Sequence, residues 1–172
     1  LGENLTTSAL PEGARQVLIG LSEIGEIAIG RRDVSLTRAL CLAISDLGEL
    51  GAENILGTLP EESAYSLGRL GSIASSNGLD ALTRQIVAYT RRVGSSSSAK
   101  NQRLGTNQAL SSLWLIGGNT PSHMFETSKA VARELEMLEL NTSVEQVDQA
   151  YNSIPVHEGI EAFREYYLEN IR

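Results

Sequence analysis

Cysteine, proline and aromatic residues are scarce in this chain of 172 residues: one cysteine, four prolines, one tryptophan, two phenylalanines and five tyrosines. The lone Cys41 excludes an internal disulfide and a cysteine-built metal cage. It agrees with a reducing compartment, and we expect a cytoplasmic chain. No apolar run approaches the ~20 residues that span a bilayer, and no secretory leader pattern is present. With so few aromatics, the core must be Leu, Ile, Val and Ala, which suits close helix packing better than β-sandwich strands. A net charge of −7 argues against a dominant nucleic-acid function.

One absence is local. Residues 81–125 contain no Asp or Glu, yet carry Arg84, Arg91, Arg92, Lys100 and Arg103. The stretches on either side, 1–80 and 126–172, each carry a net charge of −6.

What the chain does have is a glycine every 23 residues: Gly25, Gly48, Gly71, Gly94 and Gly117. An aliphatic residue precedes each one: Ile24, Leu47, Leu70, Val93 and Ile116. A fixed period with recurring apolar positions marks stacked repeats. Segments two periods apart match best, as LTRALCLAISDLG at 36–48 and LTRQIVAYTRRVG at 82–94 show without a gap. The repeating unit is therefore read as a helix pair of about 46 residues, placed at 17–62, 63–108 and 109–154, with a capping helix at 157–171. A glycine inside a helix costs ~1 kcal/mol against alanine, so its recurrence calls for a packing or a terminating role.

Apolar residues at helical spacing predict eight helices: 11–29, 35–51, 60–76, 79–93, 105–117, 121–140, 143–153 and 157–171. Thr58 with Glu61 and Ser143 with Gln146 have capping-box spacing, and Thr120–Pro121 reads as a helix start. The serine run Ser95–Ser98 predicts an exposed loop over 94–104. Leu36 continues the apolar stripe of the second helix. The predicted core comprises Leu21, Ile24, Leu40, Ile44, Leu47, Leu67, Leu70, Leu82, Ile86, Leu113, Ile116, Leu135 and Leu138.

This period and pattern resemble HEAT-like and armadillo-like α-helical repeats across residues 17–154. The resemblance implies an all-α fold, a short right-handed α-solenoid of antiparallel helix pairs, and a role as a binding scaffold. A few members of that class are enzymes, but no catalytic signature of theirs is matched here.

No Walker loop, GxGxxG, HExxH, paired CxxC or GxSxG is present, so no catalytic or metal-binding residue and no cofactor is expected. His123 and His157 read as solvated, and Cys41, inside ALCLAI, as a small core residue. Glu23, Glu26, Asp46 and Glu49 recur off the apolar stripe and read as an outer face. Arg38 and Arg84 share one repeat position, and with Arg91, Arg92 and Arg103 they offer either an anion-binding surface or cations that balance acidic neighbours. Trp114 stands where earlier units carry Ser22 and Gly68. It either lines a partner's groove or fills a gap against the C-terminal helices.

The leading expectation is a non-catalytic interaction scaffold for a protein or peptide partner of acidic character. A second is a soluble regulatory or sensory domain of a larger, membrane-attached protein, since the chain starts at Leu1 without an initiator Met. A third is an enzyme with an unrecognised site.

Overall fold

A computed structural model describes the backbone of residues 3–171 and the side chains of residues 12–171. Leu1, Gly2 and Arg172, the ends of the expected domain, lie outside the described residues. The fold is all-α, with eight helices and no strand among the described residues: α1 (Glu3–Gly30), α2 (Val34–Glu53), α3 (Leu59–Ser76), α4 (Asp80–Ala99), α5 (Arg103–Gly118), α6 (Phe125–Glu139), α7 (Val144–Asn152) and α8 (Glu158–Asn170).

The connections between the first five helices share one device. Arg32, Ile55, Gly78 and Asn101, each 23 residues after the last, take the left-handed conformation, with φ of 55°, 55°, 71° and 57°. Left-handed backbone turns the chain sharply, at a cost that only glycine escapes and asparagine reduces. Two helix starts carry side-chain caps: Asp33 accepts from the Leu36 N–H at 3.0 Å, and Ser143 accepts from the Gln146 N–H at 3.4 Å.

Helices α1, α3 and α5 pack in one row and α2, α4 and α6 in a second, with each helix also against its chain neighbour. Arg15 meets Glu62 and Glu26 meets Arg69. Both partners advance together, so α1 and α3 run parallel. Helices α7 and α8 pack on α5.

The recurring glycines lie within helices and seat side chains from the next helix of the same row. A Cβ on Gly25 would stand 3.0 Å from Leu70 Cδ2. On Gly48 it would stand 2.9 Å from Val93 Cγ2, and on Gly71 2.5 Å from Ile116 Cδ1. Each seated residue is the aliphatic one that precedes the next glycine of its row. Phe163 of α8 occupies the hollow over Gly117. Without a Cβ these helices approach closely and interdigitate. That packing is the reason the chain accepts a residue that weakens a helix.

Most of the predicted core is buried, from Leu40 and Ile44 through Leu70, Leu82 and Ile116 to Leu138. Ile24 and Leu36 are corrections: they are 48% and 43% exposed. Leu21 and Leu47 are half-buried. All four belong to the first helix pair, and no described helix covers the side of that pair turned away from α3 and α4.

Four local expectations also change. Helix α1 begins at Glu3, upstream of the expected 11. The serine run is helical to Ala99; Ser97 is buried against Gly105, so serine acts there as a small packing residue, and Ser98 Oγ donates to Asn141 O at 2.9 Å. Thr120 does not start α6: its hydroxyl bonds Ile116 O at 2.7 Å and Ser75 Oγ at 2.8 Å, and α6 begins at Phe125. The Thr58 hydroxyl donates to Glu62 Oε1 at 2.9 Å, and no side-chain cap forms there.

Candidate functional site

Three of the four arginines of the acid-free segment form ion pairs with carboxylates. Arg92 of α4 reaches back to α2, with Nε 2.7 Å from Glu49 Oε1 and a guanidinium N 3.5 Å from Asp46. The hydrogen bond that Arg92 donates to Glu49 leads the causes that raise the Arg92 pKa. Arg91 pairs with Glu134 of α6. Arg84 pairs with Asp80, one turn earlier on its own helix, at 3.0 Å. Glu49 and Arg92 sit 43 residues apart, as do Glu26 and Arg69, and Arg91 and Glu134. The first two pairs flank the glycine seats: the acid follows one glycine and the arginine stands two before the next.

The expected outer-face acids Glu26, Asp46 and Glu49 are therefore partners in these ion pairs. Arg38 and Arg103 are exposed and make no ion pair among the described residues. Arg38 lies near the start of α2, and Arg103 starts α5.

Trp114 packs inward. It is 4% exposed, with Tyr151, Phe163 and Tyr167 edge-on to its ring at centroid distances of 5.2, 5.5 and 5.4 Å. Ser22 in α1 and Gly68 in α3 stand 92 and 46 residues before it, and α7 and α8, which bring the aromatic rings to Trp114, pack on α5. Tyr167 is anchored in turn by its hydroxyl, which donates to Glu139 at 2.8 Å. Cys41 is fully buried, and desolvation pushes its thiol up to about 12. His123 and His157 are exposed, and no group of three metal-ligating side chains occurs among the described residues.

A cleft of about 440 Å³ opens where α8 meets the end of α5 and the start of α6. Gly117 and Thr120 form its floor side, Phe125 and Ser128 one wall, and Glu158, Phe163 and Tyr166 the other. Both phenylalanines of the chain line it. Phe125 stands edge-on to Tyr166 at 5.9 Å, and Tyr166 stacks on Phe163 at 6.3 Å. Phe125 is 54% exposed, so its ring faces solvent at the mouth. The first turns of α6 and α8 border the cleft and carry Glu126, Glu158 and Glu161. Close approach of α8 depends on Gly118 and Gly159, whose backbones touch with no room for a Cβ at Gly159.

The sequence reading did not gather this cleft. A capping helix over 157–171 was expected, but Phe125 and Tyr166 carry no local signal. The three rings meet only because α8 folds back 40 residues to lie on α5.

No protein-family model, no curated protein and no solved structure matches this chain.

Proposed function

We propose that the protein is a non-catalytic interaction module, built as a short α-solenoid of HEAT-like helix pairs of about 46 residues, that captures an apolar segment of a partner protein. Support for the repeat comes from the glycine seats, the ion pairs that flank them, and the left-handed residues at 32, 55, 78 and 101. The single observation that carries the function is the aromatic cleft between α5, α6 and α8, with Phe125 half-exposed at its mouth. Cavities of 300–1,000 Å³ that are mostly apolar suit a large side chain of a ligand, and aromatic anchors dominate binding energy at such sites.

The charge near the cleft selects the partner. Glu158 lines it, the first turns of α6 and α8 also carry Glu126 and Glu161, and residues 126–172 carry a net −6. The partner segment is therefore an aromatic or aliphatic anchor flanked by Lys or Arg, which reverses the acidic character expected from residues 81–125. The arginines that expectation relied on, Arg84, Arg91 and Arg92, already have carboxylate partners.

The test is a selection of random short displayed peptides on the whole protein. Enriched peptides should pair an apolar anchor with basic residues, and Phe125→Ala or Glu158→Lys should weaken them at least ~10-fold, about 1.4 kcal/mol. Enrichment of acidic peptides, or binding that survives both substitutions, sinks the reading.

A further inference from the structure

Hydrophobic positions that are sealed in the second helix pair are open in the first. Val17, Ile24 and Leu36 stand 46 residues before Ser63, Leu70 and Leu82. The later three are fully buried, whereas Val17 and Ile24 are 54% and 48% exposed and Leu36 is also open. Along α1 the line continues: Gly13, Val17, Gly20, Ile24 and Ile27 follow at spacings of four and three, the period of a helix–helix seam. No charged residue falls on that line. Each glycine within α2 to α5 meets a neighbouring side chain, but Gly13 and Gly20 have nothing within 4 Å. The first pair thus shows both halves of the packing that joins the later pairs, aliphatic side chains and the glycine hollows that receive them.

We infer that a second copy of this chain docks on the α1–α2 face about a two-fold axis. Helix α1 lies antiparallel to its counterpart, Ile24 of one copy sits over Gly13 of the other, and Val17 over Gly20. One register satisfies both contacts, and symmetry repeats each of them. The opposite end is closed to stacking, because Phe163 and Ile160 already occupy the hollows over Gly117 and Gly118. The contact is therefore self-complementary and stops at two copies. Helix α2 has 20 residues. The two-helix face then measures about 30 Å by 20 Å, roughly 600 Å² a side and 1,200 Å² in total, the lower edge of stable interfaces. An interface of that size points to a weak, reversible dimer. The face shares no helix with the C-terminal cleft, so either proposal can fail without the other.

Sedimentation velocity of the whole chain, from about 1 to about 200 µM, reads the mass directly. The expected result is a concentration-dependent shift from 18.5 kDa to twice that mass. Ile24→Glu should weaken dimerisation at least ~10-fold with helicity unchanged by circular dichroism. Gly20→Leu, which fills the seat for Val17, should weaken it similarly. Leu140→Glu, at an exposed site on the α6–α7 connection, should leave it as it is. A monomer at every concentration overturns the proposal. So does dimerisation that Ile24→Glu and Gly20→Leu leave intact, or that Leu140→Glu removes equally.

Discussion

Replacing Gly71 by alanine tests the packing role of the recurring glycines with a built-in control. Alanine is the better helix former by ~1 kcal/mol wherever it stands inside a helix. At Gly20 the new Cβ meets nothing within 4 Å, so Gly20→Ala in dilute protein should raise stability by up to about that amount. At Gly71 the same Cβ would stand 2.5 Å from Ile116 Cδ1, 2.8 Å from Ile116 Cγ1 and 3.2 Å from Ile86 Cγ2. Both isoleucines are fully buried, so neither can swing into solvent. Crowding of this kind costs ~1–3 kcal/mol. The propensity gain is common to both variants and cancels in their difference, which should be ~1–3 kcal/mol in favour of Gly20→Ala. For a chain of this size that separates the melting temperatures by roughly 2–4 °C per kcal/mol. Adding Ile116→Val to Gly71→Ala moves one methyl group from the seated side chain to the seat. Ile116→Val alone costs ~0.5–1.5 kcal/mol. The double variant should cost less than the sum of the singles by about 1 kcal/mol, because the two changes touch. Urea unfolding of the unsubstituted protein and the four variants measures all of this. Equal stabilisation by alanine at positions 20 and 71, or strict additivity of the pair, would refute the seat-and-side-chain account.

Three further outcomes follow from the geometry. The double reversal Arg91→Glu and Arg92→Glu should lower stability by ~1–3 kcal/mol, since it breaks partly exposed pairs and sets new acids against Glu134, Glu49 and Asp46; an unchanged melting curve would mean the pairs hold nothing. Ile55→Asn should raise stability by up to ~1 kcal/mol, because the exposed, β-branched Ile55 sits at φ 55° where asparagine is better tolerated; a loss in thermal melts contradicts this. Cys41 should resist thiol reagents at neutral pH until the protein unfolds globally, and alkylation that outpaces unfolding would refute its burial. Its thiol stays neutral in the fold up to about 12, whereas the unfolded thiol ionises near 9.0. The unfolded state therefore holds fewer protons between those values, and Cys41 withdraws stability as pH rises through that window, a loss that Cys41→Ala should remove.

Helix positions, the glycine interval and most of the buried stripe could be read from the sequence. The helices and the stripe rest on residues within one or two turns of one another, where the 3.6-residue period and backbone preferences act, and the glycine interval is a repeat visible in the sequence itself. Leu70, Leu82 and Ile116 fit the stripe and are buried. Ile24 and Leu36 fit it equally well and are exposed, because a stripe states which face is apolar and not whether another helix covers it. The serine run failed for the same reason: Ser97 is helical because α5 brings Gly105 against it, and composition alone favoured a turn. Arg92 beside Glu49, 43 residues away, and the meeting of Phe125, Phe163 and Tyr166 depend on how one helix pair lies on the next. The chain by itself determined its helices and the spacing at which they interlock. Only the tertiary structure decided which apolar faces stayed open, which cations were spent on packing, and where a cleft formed, because burial, ion pairing and cavities are properties of neighbours that local sequence does not supply.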